Sequence, residues 1–463
     1  MSERIAADTP TSSPPRWETW AVWLVLALFA SVALDAIRHT ATYGQDFAFH
    51  DYATHWMLAY PGQWFVNSTS RPLLYWIGGF CVRFTHDHFA YCRASDIFVL
   101  LAVVALKLLH SASVRVLRAP LLRISAIAFL AFLPVTVITT VVYASDTLAL
   151  LPFVATGWSL VLALEASSKT KAAGYYGLCG LALLAGNFSK ATFGVLPAAV
   201  IFVIAVACLR TKTLAFSRLW MPLLFCVAIP LATSSWLQAK NRVQLPNVAP
   251  LHHFNWHGTG EMTFRSLLGV RKSDVRIFDA PGYWDQRAGP GGTVYPLLEH
   301  NGYSYAALLQ LGLFTDVMNI TNPAHLVESD APRPPSQLAA ARRAVRFGLL
   351  FSVPALLAVA AFSLNAATSL ISRHKPFPMG AFVWYSLAMA WFLPLVLVLP
   401  FVVNAYDYGY WLPRLTLPAI WIFFIFGFIA ADRMAAKTGP ALQIAIIAAV
   451  CLQSALGVQS LFG

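Results

Sequence analysis

The sequence has little charge for its length. Asp, Glu, Lys and Arg together make up 11% of its 463 residues, whereas a soluble domain has about 25%. Hydrophobic residues make up 58%, and the mean hydropathy is +0.63. This deficit argues against a soluble globular protein and indicates a chain whose solvent is mostly lipid.

Several other patterns are missing. The six cysteines form no C-x-x-C pair, so neither a zinc site nor a redox motif is indicated. Apolar and polar residues do not alternate with period 2, as they do in a membrane β-barrel. Despite a net charge of +12, no basic stripe with interleaved aromatic residues occurs, so we expect no nucleic-acid partner.

Long apolar runs are abundant instead. Uncharged runs of about 18 or more residues span a bilayer core as helices. We therefore predict an all-α polytopic membrane protein with about eleven transmembrane helices, at 19–37, 94–112, 121–141, 147–164, 173–187, 192–209, 219–237, 346–371, 379–402, 412–431 and 440–461. The segment 72–86 is short and contains Arg83, so we expect a helix at the membrane surface.

Basic residues assign the orientation. With the N-terminus in the cytoplasm and 72–86 not spanning, every cytoplasmic loop is basic, as the positive-inside rule requires. These loops hold Arg115, Arg118, Arg123, Lys169, Lys171, Arg210, Lys212, Arg218, Arg373, Lys375, Arg433 and Lys437. Counting 72–86 as a span would reverse every later loop, so eleven spans are favoured over twelve.

This topology divides the chain into three parts. Residues 1–237 form an N-terminal membrane domain with a first outer loop at 38–93. Residues 238–345 form a large extracytoplasmic loop, rich in Gly and Pro, that we expect to cap the membrane domain and select the acceptor. Residues 346–463 form the C-terminal membrane helices.

Acidic residues gather on the predicted outer side. Asp46, His50 and Asp51 lie within six residues of the first outer loop, and a carboxylate beside an imidazole suits a general base. On a helix, Asp46 and His50 share a face, whereas Asp51 is rotated by about 100°. Asp146 and Asp407 lie at the outer ends of other spans, where charges often mark function.

Basic residues on the same side offer anion sites. Arg71 precedes the surface segment, Lys190 follows the fifth span, and Arg414 lies at the start of the tenth. A lipid-linked phosphate needs such groups at the depth of the lipid headgroups. The other reading of each residue is an ordinary cation that reaches lipid headgroups.

The order of these features resembles the GT-C superfamily of integral-membrane glycosyltransferases, especially the protein O-mannosyltransferase and lipid A aminoarabinose transferase branch. The resemblance covers about 20–210 and 345–435. Its motifs are Asp46, Gly62-Gln63-Trp64, Pro72-Leu73-Leu74-Tyr75-Trp76, the span led by Arg93, Asp146 in ASDTLALL, Lys190 in AGNFSKATF, and Arg414 between Tyr410 and Pro418. The family commonly has Asp-Glu at the first site, where this chain has Asp46-Phe47; spacing to the G-x-W turn favours Asp46, and Asp51 is the alternative.

The resemblance implies an inverting glycosyltransferase that moves a hexose or pentose from a polyprenyl-phosphate donor to a lipid, glycan or protein acceptor. Asp46 or Asp51, with His50, would activate the acceptor, while Arg71, Lys190 and Arg414 would bind the leaving phosphate and Asp146, Asp407 and Arg93 would support the site. No cofactor is required, and a divalent metal is an alternative that the sequence does not indicate. We expect the bacterial inner membrane, with the active site on the periplasmic face. The alternative function is a multi-pass transporter or lipid flippase.

Overall fold

The computed structural model describes residues 14–40, 47–60, 71–85, 88–190, 193–194, 196–211, 220–244, 305–314, 335–371, 383–391 and 417–462. Every regular element in these ranges is a helix, and they contain no β-strand. Most of the predicted loop at 238–345 lies outside them, as do Asp46, Asp407, Arg414 and the G-x-W turn.

The helices follow the apolar runs. In chain order they are α1 Arg16–Thr40, α2 Phe47–Ala59, α3 Pro72–Phe84, α4 His88–Ser113, α5 Pro120–Ala131, α6 Pro134–Val141, α7 Ser145–Leu148, α8 Leu150–Glu165, α9 Lys169–Ser189, α10 Leu196–Thr211, α11 Trp220–Leu223, α12 Ile229–Gln244, α13 Tyr305–Phe314, α14 Pro335–Ile371, α15 Leu417–Thr438 and α16 Pro440–Phe462. A π-helical turn, Leu224–Ala228, joins α11 to α12.

Six helices in the described ranges are long and apolar enough to cross a membrane. They are Arg16–Arg38, Ser145–Glu165, Trp220–Leu237, Ala339–Ser369, Leu417–Thr438 and Pro440–Phe462. The bent pair Pro120–Ala131 and Pro134–Val141 makes seven if it is one span. These helices make the chain an integral membrane protein, and the count of about eleven spans stays a prediction.

The segment expected at the membrane surface forms α3, which has 13 residues. At 1.5 Å per residue it is about 20 Å long, short of the roughly 30 Å hydrocarbon core. Its start is well defined, because Pro72 occupies the first turn, where a missing N–H costs no hydrogen bond. Leu74, Tyr75 and Gly78 lie on its buried face.

The apolar core joins helices from both halves of the chain. Phe129 on α5 is buried in this core, and its ring centroid lies 4.4 Å from that of Phe351 on α14 and 4.8 Å from that of Phe424 on α15. The C-terminal helices therefore pack directly on the N-terminal membrane domain.

A buried charged cluster ties α1, α4 and α5 together at one end. Glu18 accepts hydrogen bonds at 2.8 Å from His110 Nε2, at 2.7 Å from Arg123 Nε and at 2.6 Å from Arg123 Nη2. Lys107 Nζ lies 3.2 Å from His110 Nδ1. An ammonium only donates, so this contact suits a His110 ring that accepts at Nδ1 and donates from Nε2 to Glu18. We call this group the Glu18 cluster.

A second set of polar side chains surrounds the opposite end of α4. Tyr91 lies in the first turns of this helix and His110 in the last. Nineteen residues separate them, which corresponds to about 28 Å along a helix axis. The two polar groups therefore lie about one bilayer core apart.

Candidate active site

Helix α2 carries two of the predicted site residues on different faces. His50 is buried, whereas the side chain of Asp51 is 41% exposed. Successive residues of a helix point about 100° apart, so burying the His50 face leaves Asp51 at the edge of the bundle. Asp46, the preferred base, lies outside the described residues.

His50 lies in an aromatic environment. Its Nδ1 is 3.3 Å from the hydroxyl of Tyr75 on α3, and its ring meets that of Tyr143 edge-on at 6.1 Å. These contacts hold α2 against α3, and His50 is directed into the bundle.

Tyr143 joins three segments of the site. Its hydroxyl lies 2.9 Å from the carbonyl oxygen of Leu74 and 3.0 Å from Thr54 Oγ1, which in turn lies 2.7 Å from the His50 carbonyl oxygen. The hydroxyls of Tyr143 and Thr54 supply one proton each. Two of these three contacts can therefore be hydrogen bonds at any moment. Tyr143 reaches this position because Gly78 has no side chain there.

Asp51 is held from a different helix. Tyr91, at the start of α4, donates a hydrogen bond from its hydroxyl to Asp51 Oδ1. His55, one turn further along α2, places Nδ1 3.2 Å from the same oxygen. Neither partner was among the residues predicted for the site, because a tyrosine at the end of an apolar run is typical of the membrane interface.

Arg71 immediately precedes α3 and is 3% exposed. Its Nε and Nη1 atoms are buried and have no hydrogen-bond partner among the described residues. Burial lowers the pKa of this guanidinium, but arginine remains charged in proteins. A buried charge without a partner is costly, so Arg71 is suited to receive an anion.

Lys190 follows α9 and forms an ion pair with Asp146 in the first turn of α7. Both residues are buried, at 3% and 5% exposure. The prediction assigned Lys190 to the donor phosphate and gave Asp146 a supporting role. The structure pairs them directly, so the charge of Lys190 is already partly balanced.

An aromatic stack brings α3 and α9 together. Trp76 in the second turn of α3 stacks on Phe188, two residues before Lys190, with ring centroids 5.7 Å apart. The start of α3, which Arg71 precedes, therefore lies on the same side of the bundle as the end of α9. Two of the predicted phosphate-binding residues thus lie in one region of the fold.

Arg93 lies apart from this group. It forms an exposed i, i+3 salt bridge with Asp96 at 2.9 Å, and its side chain is 69% exposed. Asp407 and Arg414 lie outside the described residues, so their places in the site stay predictions. The described part of the chain contains no group of three or more His, Cys, Asp or Glu side chains placed to hold a metal ion.

No family model matches this sequence, and no curated protein matches it either. Solved structures show similarity. The oligosaccharyltransferase of Archaeoglobus fulgidus, tethered to an acceptor peptide with an NVT sequon, has 10% identity and a TM-score of 0.45, covering 95% of this chain and 55% of that one. The chain thus spans about half the length of that protein.

Two structures of ArnT from Cupriavidus metallidurans are also similar to this chain. The one bound to undecaprenyl phosphate has 14% identity and a TM-score of 0.39, and the apo structure has 13% identity and a TM-score of 0.37. Each alignment covers 91% of this chain and 79% of ArnT.

Proposed function

We propose that this protein is a membrane glycosyltransferase that uses a polyprenyl-phosphate sugar as its donor. The observation that carries the proposal is Arg71, a buried guanidinium with two unpaired nitrogen atoms in the part of the chain that the structure describes. It lies on the side of the bundle that holds the Lys190–Asp146 pair and the exposed carboxylate of Asp51.

Arg71 suits a phosphate better than another partner. A guanidinium presents its N–H groups in a planar fork that matches two phosphate oxygens. A lipid phosphate that enters from the membrane surface would supply these acceptors without crossing the hydrocarbon core. The bound anion would also offset the cost of burying the arginine.

Lys190 would assist by changing partners. In the structure its ammonium binds Asp146, so the pair adds little net charge. A phosphate beside this pair would attract the ammonium by its negative charge. Because an ammonium has three donor protons, it can form hydrogen bonds to the phosphate. Arg414 completes the proposed phosphate site by its resemblance to the family motif.

The proposed reaction is a single displacement. A carboxylate of the first outer loop, Asp46 or Asp51, takes the proton of the acceptor hydroxyl. The acceptor oxygen attacks the anomeric carbon as the bond to the phosphate oxygen breaks, so that the configuration inverts. The phosphate leaves with the electron pair, and the cations stabilise its charge.

The membrane setting follows from the predicted topology. The proposed site would face the periplasm of a bacterial inner membrane, and the acceptor would be a lipid, glycan or protein that reaches it there. The transferred sugar would be a hexose or a pentose. No metal or other cofactor enters the proposed reaction.

Binding of undecaprenyl phosphate to the purified protein tests the phosphate site. We expect wild-type protein to bind undecaprenyl phosphate and to bind undecaprenol, which lacks the phosphate, far more weakly. Arg71→Gln should weaken binding of the phosphate about 10- to 100-fold, the range for a hydrogen bond to a charged group. Arg83→Gln, an exposed arginine on α3, is the matched control and should bind as wild type does.

Two results would overturn the proposal. One is equal affinity for undecaprenol and undecaprenyl phosphate. The other is equal loss of binding in Arg71→Gln and Arg83→Gln, which would make the effect a general loss of charge. Membranes that hold radiolabelled polyprenyl-phosphate sugars then report transfer, which should be lost in the double variant Asp46→Asn, Asp51→Asn.

A further inference from the structure

Tyr91 has a polar contact that packing alone does not require. The residue is 3% exposed and its ring lies 4.8 Å from that of Tyr143, so it is part of the bundle core. Its hydroxyl nevertheless reaches out of the core to donate to Asp51. Burial, and then the hydrogen bond to Asp51, raise the pKa of Tyr91. The hydroxyl therefore stays protonated and donates the hydrogen bond.

The contacts of Asp51 are unevenly divided between its two oxygens. Tyr91 and His55 both approach Oδ1. Oδ2 has no partner among the described residues, and the side chain is 41% exposed. One oxygen is therefore fixed by the protein, while the other has no protein contact in the described ranges to hold it.

We propose that Tyr91 is a positioning residue that fixes Asp51 Oδ1 and directs Oδ2 toward the acceptor hydroxyl. This inference rests on the proposed glycosyl transfer. It identifies Asp51 as the catalytic base, whereas spacing to the G-x-W turn favours Asp46. During transfer the acceptor O–H bond breaks, the proton passes to Oδ2, and the oxygen electron pair forms the new glycosidic bond.

The rigidity of Tyr91 is what makes this role physically useful. Asp51 lies on α2 with its side chain 41% exposed, so without a fixed partner its carboxylate would be free to rotate. Tyr91 belongs to α4, a helix of 26 residues, and packs on Tyr143, whose hydroxyl is anchored on Leu74 of α3. The Tyr91 hydroxyl is therefore held by α4, by α3 and by the bend at Tyr143 between α6 and α7, and a base held in reactive geometry lowers the entropic cost of reaction.

Tyr91→Phe tests the inference, because it removes the hydroxyl and keeps the ring. We expect kcat for sugar transfer to fall by about 10-fold or more, while KM for the lipid donor and binding of undecaprenyl phosphate stay at wild-type values. Asp51→Asn should lose more, about 10²–10⁴-fold, because it removes the base itself. Tyr385→Phe is the matched control, since it also removes a buried hydroxyl hydrogen bond, to the Phe153 carbonyl oxygen at 3.2 Å, and should keep wild-type kcat.

Unaltered donor binding separates positioning from damage to the fold. The inference is overturned if Tyr91→Phe keeps wild-type kcat, or if its donor binding weakens in parallel with kcat. It is also overturned if Asp46→Asn is inactive and Asp51→Asn transfers sugar normally, a result that leaves the proposed glycosyltransferase intact. Failure to bind undecaprenyl phosphate, by contrast, removes the proposed function itself.

Discussion

At the scale of single residues, Gly78 decides whether Tyr143 can reach its partners. A Cβ atom at this position would overlap the Tyr143 hydroxyl and lie 3.2 Å from Thr54 Cγ2. Gly78→Ala should therefore displace Tyr143 and lower the free energy of unfolding by about 1–3 kcal/mol, the usual cost of overpacking. Thermal unfolding of the purified variant in detergent measures this loss.

The control is Gly174→Ala on α9, where nothing lies within 4 Å of the added methyl group. Alanine is the better helix former, so this variant should be as stable as wild type or slightly more stable. If both alanine variants unfold at the wild-type temperature, Tyr143 is not packed against α3 as described.

Some of the site residues are recognisable in the sequence and others are not. Asp51, Arg71, Asp146 and Lys190 stand out because charge is rare in this chain. The pairing of Asp146 with Lys190 cannot be read from the sequence, because the two residues lie 44 positions apart and no helical spacing relates them. The Tyr91 contact spans 40 residues and depends on how α2 packs on α4, which only the tertiary structure shows.

At the scale of helices, the predicted span at 121–141 is broken. The structure places α5 and α6 at 53° to each other across Phe132 and Leu133. Proline at position 134 has no N–H to donate to the preceding turn, which is the usual cause of a sharp bend. The hydropathy pattern predicts the length of this segment, but it does not predict the bend.

The Glu18 cluster allows a direct comparison of buried and exposed ion pairs. Glu18→Gln leaves the Arg123 guanidinium buried without its carboxylate, and we expect a loss of about 3–5 kcal/mol in the free energy of unfolding. Glu165→Gln removes the partner of Arg115, a pair in which both side chains are partly exposed. That loss should be about 1 kcal/mol or less.

The measurement is unfolding of the three proteins under one detergent condition. Equal losses in Glu18→Gln and Glu165→Gln would contradict the buried position of the Glu18 cluster. In the sequence, Glu18 is an acidic residue at the edge of the first apolar run, and nothing in the pattern predicts that its partners lie 92 and 105 residues further on.

At the scale of the whole molecule, the two polar groups lie at opposite ends of α4. The Glu18 cluster contains Lys107 and Arg123, which lie toward the predicted cytoplasmic side, and the candidate site lies about 28 Å away along α4. The sequence predicts the long apolar helices well because lipid leaves the backbone no other way to satisfy its hydrogen bonds. Helices that contain charged residues or several glycines, such as α4 and α9, are harder to recognise as membrane spans.

Cysteine labelling tests the orientation. In a background without the six native cysteines, Thr170→Cys should be protected from a membrane-impermeant maleimide added outside intact cells. Pro290→Cys should react, because position 290 lies in the predicted outer loop. Permeabilised cells serve as the control, in which both positions should react. Labelling of both positions in intact cells would overturn the eleven-span topology.

The Glu18 cluster also sets an order of events during synthesis. Arg123 follows Glu18 by 105 residues, so at about 5–20 residues per second it leaves the ribosome roughly 5–20 s later. A carboxylate is too costly to bury before its guanidinium arrives. We therefore expect the first helix to take its final place only after the third predicted span, which contains Arg123, has been made.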